Sequence, residues 1–143
     1  MFFWEKQKVI TALYLQYTKP ICERNNLTQM EYDILMFLSE HPDMDTAADI
    51  TRERKFTKSH VSSAIHMLKL KGLIHRRDTE SRRNIHIRLT EKASDIVATG
   101  MEAQQEFLRR IFQGFSQEEL DSCIAFFHRL CDNASACLME AQA

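Results

Sequence analysis

The sequence contains only three glycines and no glycine-rich loop of the kind that cradles nucleotide phosphates. It also lacks a quartet of metal-ligating residues and a nucleophile with a plausible neighbouring base. His60 and His66 do lie near serines, but the surrounding pattern predicts an exposed helix face rather than a pocket. We therefore expect no enzyme activity, no metal and no cofactor.

Long apolar runs are absent too, and no segment approaches the length needed to cross a bilayer. The first residues, MFFWEKQK, carry an apolar cluster but no signal-peptide core or cleavage site, so we expect a cytoplasmic protein. The four cysteines show no CxxC spacing, which is typical of reduced, packed thiols. They are Cys22, Cys123, Cys131 and Cys137.

The most informative pattern lies between Thr57 and Leu89. Thr57 is a suitable N-cap for a helix, and Gly72 is suited to end that helix because glycine adopts a left-handed turn without steric cost. Between them, apolar residues recur at helical spacing at positions 61, 64, 65 and 68. Beyond the glycine, residues 74–77 and the alternating segment 85–89 predict two short strands joined by a loop.

The opposite face of this predicted helix carries short hydrogen-bonding groups and cations without a carboxylate: Lys58, Ser59, Ser62, Ser63, His66 and Lys69. Such a helix fits the DNA major groove, where these side chains reach base edges and phosphates. Arg82 and Arg83 in the loop suit the negative potential of a neighbouring minor groove. A solvated helix face beside a charged hairpin is the alternative, but the combined features favour nucleic acid.

Charge is distributed unevenly along the chain. The net charge is −1, yet residues 52–92 contain twelve lysines and arginines against four acidic residues, a net charge of +8, which leaves −9 for the remainder. A basic segment within an acidic remainder is typical of a protein with one DNA-binding face.

Further helices are predicted before this segment. A first helix covers residues 2–23, with an interruption at Pro20. Thr28 and Glu31 form a capping-box pattern that opens a second helix ending near residue 40. A short helix over 46–53, with residues 47, 48 and 50 inward, then precedes the helix at Thr57, which is the helix-turn-helix pattern.

Two more helices follow the strands, one capped by Thr90 and ended by Gly114, the other opened by a capping box of Ser116 and Glu119. The last helix carries an apolar line in steps of four and three: Leu120, Ile124, Phe127, Cys131, Ala134 and Leu138. A second apolar line lies beside it, and the chain starts with a large apolar cluster. The apolar surface formed by these residues is wider than one small domain needs, so it predicts a dimer interface. An ordinary core helix is the alternative.

On these residues the chain resembles the MarR family of bacterial winged-helix transcriptional regulators. The resemblance is carried by LTQMEYDILMFLSEH, TKSHVSSAIHMLKLKGLIHRRD and SRRNIHIRLTEKA. It implies a mainly α fold with a small two- or three-stranded β wing, in one subunit spanning 1–143. Residues 28–93 would form the winged helix-turn-helix lobe, and residues 1–27 and 94–143 the dimerisation helices. The implied function is a homodimeric repressor that reads a pseudo-palindromic site in double-stranded DNA.

The resemblance also implies site residues. Those matching the family's recognition helix are Lys58, Ser59, His60, Ser62, Ser63 and His66. Arg83 matches the arginine of the wing, although Ser81 stands where the family usually has a bracing aspartate. Arg52, Lys69 and Arg82 are the candidates for phosphate contact, which would set affinity and salt dependence more than sequence choice.

Family members often respond to small aromatic molecules, oxidants or metals. The zinc-sensing and peroxide-sensing patterns do not match, because Glu31 is followed by tyrosine and no cysteine lies in the first half of the first helix. A pocket for a small aromatic effector could involve Tyr14, Tyr17, Met36 and His41, although core packing explains the apolar ones equally well. The remaining alternative function is a winged-helix module that binds protein instead of DNA.

Overall fold

The computed structural model of the chain describes residues 2–54, 56–77 and 85–142. Within these ranges lie six α-helices and a two-stranded antiparallel sheet. The helices are α1 (Phe2–Arg24), α2 (Gln29–Glu40), α3 (Ala47–Arg54), α4 (Lys58–Leu70), α5 (Ser94–Ile111) and α6 (Gln117–Ala141). The strands are β1 (Ile74–Arg76) and β2 (Ile87–Leu89). None of the described helices is long and apolar enough to cross a membrane.

The predicted fold class, mainly α with a small β wing, is confirmed. Strands β1 and β2 pair with Ile74 opposite Leu89 and Arg76 opposite Ile87. An isolated bridge between Thr46 and His86 adds one further pairing just before β2.

The chain divides into two compact units, Met1–Phe107 and Leu108–Ala143. In the first unit, α2 lies at the centre and packs against α1, α4 and β2, while α3 packs on α4. The side chains of Ile34, Leu35, Ile50, Val61 and Leu68 are fully buried. Each contributes roughly 1.5–3 kcal/mol relative to an exposed position, so this core fixes how α2, α3 and α4 are arranged.

The second unit contains the end of α5, a turn and α6. Gly114 has a φ of +86°, the left-handed conformation that ends α5. The capping box predicted at Ser116 and Glu119 is confirmed by reciprocal bonds of 2.8 and 3.1 Å. Helix α6 is described throughout, and none of its side chains is buried.

Several local predictions are corrected by the structure. Helix α1 continues through Pro20 to its end at Arg24. In α3 only Ile50 is buried, whereas Ala47 and Ala48 are exposed, because a helix of two turns offers few inward positions. The expectation of packed thiols holds for Cys22 but is wrong for the three cysteines of α6, which are exposed because the helix they belong to buries no face.

The N-terminal caps also differ from expectation. Thr57 precedes α4, and Thr90 precedes a short 3₁₀ helix (Glu91–Ala93) that leads into α5. Both threonines have extended N-cap conformations, but within the described residues neither hydroxyl caps the helix that follows it. The Thr28 hydroxyl accepts from the Glu31 amide at 3.2 Å, as predicted. The Glu31 carboxylate, however, bonds to Lys71 instead of returning to residue 28, because a bond between charged groups is stronger than a neutral one.

Candidate nucleic-acid interface

Helix α4 buries one face and exposes the other. Its apolar residues at 61, 64, 65 and 68 are buried, as their spacing predicts. The side chains of the opposite face are all exposed: Lys58, Ser59, His60, Ser62, Ser63, His66 and Lys69. The structure therefore brings the predicted recognition residues together on one accessible surface that contains no carboxylate.

The end of α4 is held firmly. Gly72 has a φ of +72°, and the Leu73 amide reaches back to the Leu68 carbonyl at 3.0 Å while the Gly72 amide bonds to Lys69 at 2.9 Å. This pair of bonds is a Schellman motif, which satisfies carbonyls that the helix end leaves free. The Thr90 hydroxyl donates to the Gly72 carbonyl at 2.6 Å, so the chain leaving the wing is tied to the same turn.

A buried ion pair joins this turn to α2. The Lys71 ammonium lies 2.6 Å from the Glu31 carboxylate and also donates to the Asn26 carbonyl at 2.6 Å. The Glu31 side chain is only 4% exposed, and Lys92 donates to the Lys71 carbonyl at 2.7 Å. These contacts fix the orientation of α4 relative to α2. Sequence reasoning missed them, because the two charged partners are separated by 40 residues.

The base of the wing has its own polar contact. The His86 ring pairs with the buried Asp45 carboxylate, and the Ile87 amide donates to the Asp45 carbonyl at 2.8 Å. The Arg77 amide donates to the His86 carbonyl at 2.8 Å. These bonds connect the two strands to the segment just before α3. The strands of the wing are therefore held in a fixed position relative to the helix-turn-helix.

The arginines predicted for the wing tip, Arg82 and Arg83, lie outside the described residues, as does Ser81. Their roles stay predictions. Among the described residues that precede and follow this segment in the sequence, Arg76, Arg77 and Arg88 are exposed.

Arg52, a predicted phosphate contact, is engaged within α3. Its guanidinium bonds to Asp49 at 2.8 Å and to Glu53 at 3.0 Å. Hydrogen bonds to Glu53 and Asp49 raise the pKa of Arg52, and hydrogen bonding by Thr46 holds the pKa of Asp49 below its usual range. A phosphate would have to compete with these carboxylates for Arg52, whereas Lys69 lies beside Ser62 and His66 along a groove between α4 and the start of β2.

A cavity of about 530 Å³ lies in the first unit, lined by α1, α2, the end of α3 and α5. Tyr14, Met36 and His41 line it, and their role in binding an effector stays a prediction. Tyr17 is not among the described residues that line it, and its ring packs edge-on to Phe107 with centroids 6.4 Å apart.

Charged residues in this cavity were missed by sequence reasoning. Asp33 accepts from the Gln29 amide at 3.0 Å and from the Tyr14 hydroxyl at 3.4 Å, and its other oxygen lies 3.7 Å from Arg54. Burial raises the pKa of Asp33 despite these partners. Burial and the Asp33 charge raise the pKa of Tyr32 to about 12 and that of Tyr14 further. The surroundings therefore disfavour added negative charge.

In the described part of the chain, no group of three or more histidines, cysteines or carboxylates could hold a metal ion. Burial raises the pKa of the Cys22 thiol, which lies 3.8 Å from the Gln29 side-chain oxygen. A raised pKa lowers the thiolate fraction and hence the reactivity of this cysteine.

Comparison with known proteins gives one family and many structures. A family model described as MarR family matches residues 25–83. These residues run from the end of α1 through α4 into the wing. The comparison with curated protein sequences gives no match.

Three solved structures illustrate the similarity of fold. The transcriptional regulator PA3341 is 20% identical, with a TM-score of 0.83 over 95% of this chain and 99% of that one. Staphylococcus aureus MepR in complex with DNA is 19% identical, with a TM-score of 0.77 over 94% and 96% of the two chains. Staphylococcus aureus MarR in complex with salicylate and kanamycin is 20% identical, with a TM-score of 0.77 over 94% and 91%.

Proposed function

We propose that this chain, a member of the MarR family, is a sequence-specific DNA-binding transcriptional regulator that works as a homodimer. The observation that carries the proposal is the exposed face of α4, where serines, histidines and lysines lie together without a carboxylate. A helix of this kind reads base edges in the major groove. The similarity in fold to a regulator solved with DNA supports the same reading.

Contacts outside α4 would position the protein on its site. Lys69, at the end of the exposed face, and the exposed arginines of the wing strands suit the phosphate backbone. Arg83 would enter the adjacent minor groove, and Arg82 would contact phosphate. Arg52 would contribute only after exchanging its carboxylate partners for a phosphate oxygen.

Pairing of two chains follows from apolar surface that a single chain leaves in water. On α6, Phe126 and Phe127 are 62% and 61% exposed, and Leu130 is 56% exposed. On α1, Phe3 and Trp4 are exposed to a similar degree. Apolar surface of this extent marks an interaction site, and a second copy would bury it and present two α4 helices to a pseudo-palindromic operator.

A small molecule bound in the cavity would regulate DNA binding. Its walls come from α1, α2, α3 and α5, so a small molecule bound there would contact the first helix of the helix-turn-helix directly. By favouring one arrangement of α3 and α4, the ligand would lower affinity for the operator and relieve repression.

The function is tested by fluorescence anisotropy with a labelled duplex from the promoter region of the protein's own gene. We expect salt-dependent binding that His66→Ala weakens at least tenfold, because the side chain contacts the DNA and not the core. His128→Ala, an exposed histidine on α6, is the matched control and should leave affinity unchanged. A correctly folded protein without affinity for any duplex would instead favour the protein-interaction module.

A further inference from the structure

The cavity in the first unit combines apolar walls with unbalanced negative charge. Its apolar lining includes Tyr14, Met36 and Phe107, and its volume of about 530 Å³ is in the range of pockets that hold drug-sized molecules. Among the described residues that line this space there are three carboxylates, on Asp33, Glu40 and Glu53, and one guanidinium group, on Arg54.

The guanidinium groups at this cavity are already bonded to partners. Arg54 lies 3.7 Å from Asp33 and 5.5 Å from the centroid of the Phe56 ring. Glu53 is bonded by Arg52 at 3.0 Å. With Arg54 counted against Asp33 and Arg52 against Glu53, the third carboxylate, on Glu40, has no cationic partner in the described part of the chain.

Glu40 is the source of this uncompensated charge. It is exposed at the end of α2 and lies in no hydrogen bond or ion pair that the described residues provide. Burial is the main reason that the pKa of Tyr32 on the cavity wall is raised, and the charges of Asp33 and Glu40 add to it. An anionic ligand would therefore meet carboxylates without a free guanidinium group, whereas a cationic ligand would find two carboxylates beside Tyr14 and Tyr32.

We infer that the cavity binds a small organic cation, an amine or amidine on an apolar body of about two fused rings, with its charge held by Glu40 and Asp33. The inference rests on the proposed function, since it names the chemical class of the effector. The same two residues repel a carboxylate on a ligand. We therefore expect acidic aromatic compounds of similar size to bind weakly.

Three nearly isosteric probes test the charge preference: naphthalene-2-carboximidamide, the neutral naphthalene-2-carboxamide and the anionic naphthalene-2-carboxylate. Isothermal titration calorimetry of the full chain at neutral pH and low salt should give the cation at least tenfold higher affinity than the amide, and the carboxylate the weakest binding. Equal affinities, a preference for the carboxylate, or no binding of the cation at millimolar concentration would each overturn the inference.

Two variants that replace a carboxylate with a neutral amide identify the residues responsible for the preference for a cation. Glu40→Gln and Asp33→Asn should each reduce the advantage of the cation over the amide at least threefold. Glu40 is exposed, and burial already penalises the charged form of Asp33, so both variants are expected to fold. Glu91→Gln, an exposed carboxylate that does not line the cavity, is the matched control. An advantage kept in both variants would contradict the assignment.

The same preparations separate this inference from the proposed function. Operator affinity is measured by anisotropy without any probe, so failure to bind DNA would count against the regulator itself. Intact DNA binding together with no preference for the cation would overturn only the identity of the effector class.

Discussion

At the scale of single residues, the ion pair between Glu31 and Lys71 connects α2 to the residue that follows α4. Removing one partner of a buried pair leaves an uncompensated charge, which costs about 3 kcal/mol. We expect Glu31→Gln to lower the free energy of unfolding by that amount in urea denaturation. Lys19→Met, which breaks the exposed Lys19–Glu23 pair, should cost less than about 1 kcal/mol. Equal effects of the two variants would contradict the structural role of the buried pair.

The same pair shows why some site residues escape sequence reasoning. Thr28 and Glu31 match a capping box, and the local half of that pattern forms. The side chain of Glu31 nevertheless takes a partner 40 residues away, which no local spacing indicates. Asp33 likewise meets Tyr14 and Arg54 from two other helices. The sequence therefore did not indicate which charged residues line the cavity. It did indicate the tyrosine and the methionine that line it.

At the scale of elements, the predictions that succeeded depend on local chemistry. The stripe of α4, its glycine stop and the capping box of α6 are each contained within one or two turns of chain. The prediction of the buried face of α3 was wrong because it depended on small residues, which fit a buried or an exposed position equally well. Ala47 and Ala48 fit either face of α3, so their spacing could not decide which residues are buried.

The packing of α5 on α2 depends on one glycine. A methyl group at Gly100 would lie 2.6 Å from the Met36 sulfur and 2.8 Å from the Tyr32 hydroxyl oxygen. Alanine gains about 1 kcal/mol of helix propensity, but overpacking costs roughly 1–3 kcal/mol. We expect Gly100→Ala to destabilise the protein by about 1 kcal/mol and to weaken ligand binding, because both displaced side chains line the cavity.

Urea denaturation and calorimetry measure the two effects of this substitution. Ala98→Gly, at an exposed position of α5, reports the contribution of helix propensity alone and should cost up to about 1 kcal/mol without changing ligand affinity. A Gly100→Ala protein more stable than the parent, with unchanged ligand affinity, would show that the two helices are not in close contact.

At the scale of the whole molecule, the exposed face of α6 predicts a dimer. We expect light scattering at micromolar concentration to give twice the mass of the chain. Phe127→Glu places a charge in the apolar line and should produce a monomer with much weaker operator binding. Ala125→Glu adds the same charge on the opposite side of the helix, since successive residues are about 100° apart, and should remain dimeric. A monomeric parent protein would contradict the proposed pairing.

The three thiols of α6 give this assembly a built-in reporter. Cys123, Cys131 and Cys137 are accessible in the single chain, and Cys131 belongs to the apolar line that the second copy would cover. Alkylation of Cys131 should therefore slow as protein concentration rises, whereas the buried Cys22 should react slowly at every concentration. Mass spectrometry of the alkylated chain can thus follow subunit association without an introduced cysteine or fluorophore.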